Sequence, residues 1–175
     1  VLKDRFRVLG VLGEGGMAVV YRVLDEHDER EWALKVMSTD LAEDRKILER
    51  FKREYKSMSK LEHPGILPVR SCESLEDGRL YLQLPIAEGG SLEERVVPGG
   101  VAQAQVLAWA VPMLEVLVFL RSRGVVHRDI KPANFLLHAN GSVVLADFGI
   151  ALGEKDIRLT RTTDQVGSLA YVAPE

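Results

Sequence analysis

Apolar and polar positions in the first third of the chain alternate in short runs separated by turn signals, the period of half-buried antiparallel strands. The runs are Phe6 to Leu12, Val19 to Leu24 and Glu31 to Met37, with the polar turn Asp25 to Arg30 between the last two. From about Leu41 to Leu61 the period changes. Ile47, Leu48, Phe51, Tyr55 and Met58 fall largely along one face of a charged helix that ends before His63-Pro64-Gly65. Two further strands, Ile66 to Cys72 and Leu80 to Leu84, flank a turn at Glu76-Asp77-Gly78. A composition shift at Pro85 to Ser91 reads as a linker. Beyond it, Ala102 to Arg121 predicts a long helix stopped by Gly124, with a kink or loosened turn near Ala108 because Pro112 removes a backbone donor. Phe135 to Leu137 and Val143 to Ala146 flank Asn140-Gly141, the strongest short hairpin signal in the chain.

Composition narrows the class. At 175 residues with 46% hydrophobic content, the chain can build one ordinary domain or two small lobes. The net charge of −3 and the lack of a long Lys/Arg run give no reason to expect a nucleic-acid partner. Cys72 is the single cysteine, which excludes an internal disulfide and suits a reducing, cytoplasmic compartment. The longest apolar stretch, Val106 to Leu120, contains Pro112 and Glu115; it is short for a bilayer span and reads as a buried helix, so no membrane segment is expected.

The chemistry concentrates in His127-Arg128-Asp129-Ile130-Lys131-Pro132-Ala133-Asn134, followed by Asp147-Phe148-Gly149. A proton acceptor, a cation and two oxygen donors suited to magnesium share one short segment, with room for one hairpin between the two strings. Upstream, Leu12-Gly13-Glu14-Gly15-Gly16-Met17-Ala18-Val19-Val20 is a glycine-bearing turn between strands, where backbone N–H groups can approach phosphate oxygens. A dinucleotide fold would place such glycines between a strand and a helix; here a second strand and then Ala33-Leu34-Lys35 follow. An inward lysine on a strand requires a carboxylate and an anionic ligand. Glu54 and Glu49 both serve on charge, Glu43 and Asp44 lie too near the helix start, and only the order of motifs selects Glu54.

With these motifs in order, and Ala173-Pro174-Glu175 closing them, the chain resembles the eukaryotic-type protein kinases, and Lys131-Pro132 resembles the serine/threonine branch in bacterial wording. The resemblance implies an α+β, two-lobed fold: residues 1–84 a five-stranded antiparallel lobe with one long helix, 85–90 a hinge, and 91–175 part of a mainly helical lobe. It implies ATP with Mg2+ or Mn2+ as cofactors and protein substrates as partners. Lys35, held by Glu54, would grip the α- and β-phosphates; Asn134 and Asp147 would hold metal; Asp129 would accept the substrate hydroxyl's proton; Lys131 would sit by the transferred phosphoryl group. Leu12, Val20, Ala33 and Leu136 would sandwich adenine, with Leu84 behind it, Pro85 and Ala87 supplying hinge hydrogen bonds, and Gly13, Glu14, Gly15, Gly16, Met17, Ala18 and Ser91 completing the nucleotide site. Pro85 stands where an acidic residue is usual, and Ala18 where a third glycine is common.

Between Gly149 and Ala173, Thr160 and Thr162 are expected autophosphorylation sites because their spacing ahead of Gly167 resembles that of bacterial kinases, and Arg128 offers a phosphate there a partner. Ser168 is expected to help position substrate. A pseudokinase or nucleotide-binding scaffold is the alternative, and a small-molecule phosphotransferase a third. The family's helical lobe continues past Glu175, so the chain reads as a fragment; dimerisation and anchoring of a cytoplasmic domain to a membrane are both compatible with it.

Overall fold

The computed structural model describes residues 2–15, 18–42, 44–127, 129–147 and Tyr171; the side chains of Lys46, Arg50, Arg53, Glu54 and Ser57 fall outside that description. The chain divides into two compact units, one built from residues 2–60 and 68–86, the other from 61–67 and 87–147.

In the first unit, β1 (Phe6–Glu14), β2 (Ala18–Asp25), β3 (Arg30–Met37), β4 (Ser71–Ser74) and β5 (Leu80–Leu84) form one antiparallel sheet in the order β1-β2-β3-β5-β4. The strands extend slightly past the predicted runs, because β1 and β2 stay paired up to Glu14 opposite Val19. The register of β1 slips between Val8 and Gly10 and between Val11 and Gly13, so this edge strand is bulged and a poor template for further pairing.

Alternation along β3 divides the unit's core. Leu34 and Val36 join Phe6, Val23, Leu75 and Tyr81 on one face, while Met37, Leu80 and Leu82 meet Phe51 on the other. Phe51 belongs to α2 (Arg45–Met58), whose Ile47, Leu48 and Tyr55 pack there too, as the helical spacing predicts. The helix is shorter than its apolar pattern, because a separate turn of helix, α1 (Thr39–Ala42), precedes it and chain turns follow Met58.

The predicted strand Ile66 to Cys72 is not one strand. Ile66 forms a parallel bridge with Leu145, with Leu67 N–H donating to the Leu145 carbonyl at 2.9 Å and Leu145 N–H to Gly65 at 2.8 Å. Pro68 follows and has no N–H to give a ladder. Pairing with β5 resumes where Arg70 N–H donates to the Gln83 carbonyl at 2.8 Å, ahead of β4. The apolar run therefore serves two units in succession, which period alone does not reveal.

The second unit centres on α3 (Gln103–Ser122) and the hairpin β6 (Phe135–Leu137) and β7 (Val143–Leu145). Gly141 takes a φ of 80° in the hairpin turn, the left-handed conformation the Asn-Gly signal predicts. Part of the predicted linker is drawn onto β6: Gly89 N–H donates to the Leu137 carbonyl and Leu92 N–H to the Phe135 carbonyl, both at 2.8 Å.

Helix α3 runs unbroken through Pro112; the carbonyl that loses its donor belongs to Ala108, an exposed residue. The expectation of a buried helix is corrected. Val116 and Leu120 are buried, but Val106, Leu107, Val111, Leu114 and Val118 are 45–69% exposed. The sequence is apolar almost all round, so it does not indicate which side packs, and β7 is the strand against which α3 rests. At 20 residues α3 also has the length and apolar content of a membrane span, which the shorter run Val106 to Leu120 does not suggest.

Candidate active site

The catalytic string folds into a loop ending in a single 3₁₀ turn, Pro132–Asn134. Lys131 before it is extended and Pro132 starts it, the position where a missing N–H is harmless. The turn buries Asn134 to 4% exposure and aims its amide back along the loop: Nδ2 donates to the Asp129 carbonyl at 2.6 Å and to Asp129 Oδ2 at 2.9 Å. Lys131 Nζ lies 3.0 Å from the same Oδ2. Asp129, Lys131 and Asn134 are thus brought together, with one carboxylate oxygen held from two sides, by an amide N–H and by an ammonium.

Two hydrogen bonds tie this loop to the residue before Asp147. Ala146 N–H donates to the Asn134 carbonyl at 2.8 Å. His127, 4% exposed, holds Nε2 3.1 Å from the Ala146 carbonyl, while Asp129 N–H donates to its Nδ1 at 3.3 Å. A carbonyl only accepts and an amide N–H only donates, so the ring is neutral with its proton on Nε2. Burial pushes the His127 pKa below its ordinary value, in keeping with that neutral form. Asp147 follows, exposed, with φ 57°. His127 is the participant that reading the string leaves without a role, and its neighbours give no signal of its burial, since Val126 directly before it is 75% exposed.

In the first unit, Lys35 lies half-buried on β3, paired with Val20 on β2 and Leu82 on β5. Its alternation places it on the face shared by Met37 and Leu82, where α2 packs. Ala33 is 6% exposed and pairs with Leu84, which joins them at this end of the sheet. Leu12 sits on β1, 48% exposed, and Gly13 pairs with Val20. Gly15 N–H donates to the Ala18 carbonyl at 3.0 Å, closing the loop's neck; Gly16 and Met17 lie outside the described residues. Glu54 is on α2, three residues past Phe51, with its side chain outside the description. Pro85 and Ala87 are half-buried. In the second unit, Leu136 is half-buried on β6 and bridges Ser91. The Ser91 hydroxyl donates to Glu94 Oε1 at 2.8 Å, so it also closes a local turn. Arg128, Phe148, Gly149, Thr160, Thr162, Ser168 and Ala173-Pro174-Glu175 lie outside the described residues.

The donors fit a hard divalent cation. An amide oxygen of Asn134 and a carboxylate of Asp147 are oxygen ligands of the kind Mg2+ and Mn2+ take, and committing Asn134 Nδ2 to Asp129 orients its Oδ1 the other way. Among the described residues no three His, Cys, Asp or Glu side chains cluster.

Residues 6–175 match the family model of the protein kinase domain. The chain is 34% identical over 175 residues to the serine/threonine-protein kinase PrkC of Bacillus subtilis, covering 99% of this chain and 27% of that protein. It is 37% identical over 174 residues to PknJ of Mycobacterium tuberculosis, covering 97% and 29%. It is 39% identical over 181 residues to the DNA damage-responsive kinase RqkA of Deinococcus radiodurans, covering 100% and 26%. The chain thus spans about a quarter of the length of these relatives. Among solved structures, the Mycobacterium tuberculosis PknI kinase domain superposes with a TM-score of 0.69 at 31% identity, over 87% of this chain and 62% of that one. A double mutant of that domain gives 0.73 at 28% identity, over 94% and 70%.

Proposed function

This chain belongs to the protein kinase domain family, and on that premise we propose that it is the catalytic part of an ATP-dependent protein serine/threonine kinase. The observation that carries the reading is the loop in which Asp129, Lys131 and Asn134 share one carboxylate and connect through Ala146 to Asp147. Asp129, beside Lys131, accepts the proton of the substrate hydroxyl. Lys131 neutralises charge on the transferred phosphoryl group, and Lys35 grips the α- and β-phosphates with Glu54 as its partner. Asn134 and Asp147 hold Mg2+ or Mn2+, which when bound offsets the charge of the phosphates. Leu12, Val20, Ala33, Leu84 and Leu136 supply apolar contacts to adenine, and the Pro85 carbonyl and Ala87 N–H its hydrogen bonds. Ser91 and the loop Gly13 to Ala18 complete the nucleotide site.

The division into residues 1–84, a hinge at 85–90, and 91–175 belongs to the same reading. So do phosphorylation of Thr160 and Thr162 with Arg128 as the phosphate's partner, protein substrates, and a cytoplasmic location for the domain. The test uses the full-length protein with labelled ATP and a generic protein substrate. Asp129→Ala is expected to lower kcat about 10²- to 10⁴-fold, the contribution of a positioned general base. Full transfer by that variant would overturn the assignment.

A further inference from the structure

We propose that the outward face of α2 is a membrane-contacting surface, which holds the first unit against a bilayer bearing anionic headgroups.

Residues 45–60 hold seven Lys or Arg and two Glu, a net charge of +5 in a chain whose total is −3, so the rest of the chain carries −8. The apolar side of α2 is committed, since Ile47, Leu48, Phe51 and Tyr55 pack against the sheet. Arg45, Lys52 and Lys56 recur at spacings of seven and four, which places them in one stripe on the solvent side, and Lys60 continues it past the helix end. All four are exposed. Elsewhere in the unit Lys3, Arg5, Arg7, Arg22, Arg70 and Arg79 each reach a carboxylate within 4.0 Å, whereas among the described residues no ion pair forms to these four. Helix stability does not account for the stripe. Lys52 and Lys56 are like charges one turn apart, and Arg45 stands in a first turn that has no acidic residue, where the helix dipole disfavours a cation. An anionic surface meeting the face relieves both.

The chemistry of the face selects the partner. Protein interfaces centre on apolar and aromatic side chains and are poor in Lys, while base recognition uses Asn, Gln and aromatic platforms. Residues 45–60 contain no Asn or Gln, and their aromatics, Phe51 and Tyr55, lie on the core side. A row of cations along a helix of 14 residues, about 21 Å long, suits a surface of diffuse negative charge, which attracts Lys and Arg without a pocket. The same surface repels the −8 carried by the remaining residues, which favours contact through this face.

The test uses the full-length protein without ATP, and vesicles of phosphatidylcholine alone or with about a third phosphatidylglycerol. Tighter binding to the mixed vesicles is expected, and it should weaken as salt shortens the screening length from about 10 Å to about 3 Å. Arg45→Gln, Lys52→Gln, Lys56→Gln and Lys60→Gln, introduced one after another, should each lower the partition coefficient about fivefold. Arg7→Gln and Arg22→Gln remove exposed cations that already hold carboxylates, and should leave it within about twofold. A second measurement reads the face directly, whatever else holds the protein to the vesicle. A nitroxide attached through Ser59→Cys in a Cys72→Ala background is expected to lose contact with an aqueous relaxation agent on mixed vesicles, and one attached through Asp77→Cys is expected to keep it. Both positions are exposed, Ser59 beside the stripe and Asp77 in the turn between β4 and β5. Partition unchanged by the four neutralisations would overturn the proposal. So would a nitroxide beside the stripe that stays in water, or tighter binding to polyglutamate or to an RNA oligomer than to vesicles of equal anionic charge. None of these measurements requires phosphate transfer, so the surface and the proposed function stand or fall separately.

Discussion

Asp25 shows how far a single residue can depart from what its neighbours in sequence suggest. It is the first residue of a polar turn, Asp25 to Arg30, yet it is fully buried. Arg5 Nε and Nη2 reach its two oxygens at 2.8 and 2.5 Å, Gln83 Nε2 donates at 3.2 Å, and His27 N–H at 3.1 Å. Gln83 lies 58 positions away, so no local window could have disclosed the pairing. The proximity of Asp129, Lys131 and Asn134 was legible for the opposite reason: fixed offsets along one loop bring them together, and the fold adds little to their order. Because Arg5 is the main compensation for a carboxylate with no access to water, Arg5→Ala is expected to lower stability by about 3 kcal/mol, as when one partner of a buried pair is removed. Urea unfolding of the variant checks this; a loss under about 1 kcal/mol would place the pair with exposed ion pairs.

Among elements, strands β1 to β3, helix α2 and the β6–β7 hairpin were legible because each keeps one period and one packing face. The stretch Ile66 to Cys72 was not, because its first part joins β7 and its last part β5, with Pro68 dividing them. Helix α3 was legible as a helix and illegible in burial, since an apolar circumference does not mark the side that packs. That side is identified by Gly65, where an added Cβ would clash with Val116 Cγ2, and by His63, whose ring lies 4.8 Å from that of Phe119. Gly65→Ala is therefore expected to cost about 1–3 kcal/mol through overpacking. In a Val116→Ala background the obstructing methyl is absent, so the same substitution should cost measurably less, a coupling a double-mutant cycle on chemical denaturation detects. Additive losses would mean that the turn and α3 do not meet at these atoms.

For the whole molecule, the two units respond to acid in the same direction but in different pH ranges. His127, in the second, has its pKa lowered from 6.5 by burial, so the unfolded chain takes up a proton before the folded one does. Its contribution is complete above the unfolded value and falls as pH drops below about 6.5 toward the folded value. Asp25, in the first unit, has its pKa lowered chiefly by the Arg5 hydrogen bonds. Its contribution is complete above the ordinary carboxylate range and is lost only as pH falls through its lower folded value. Acidification should therefore weaken the second unit first, between mildly acidic pH and the carboxylate range, and the first unit afterwards. The order can be followed by hydrogen exchange, reading amides of β6 and β7 against those of β2 and β3 as pH is lowered. His127→Gln should flatten the early step and leave the late one, because the group that titrates has gone while the donor to Ala146 is retained. If β2 and β3 lost protection before β6 and β7, the assignment of the early step to His127 would be wrong.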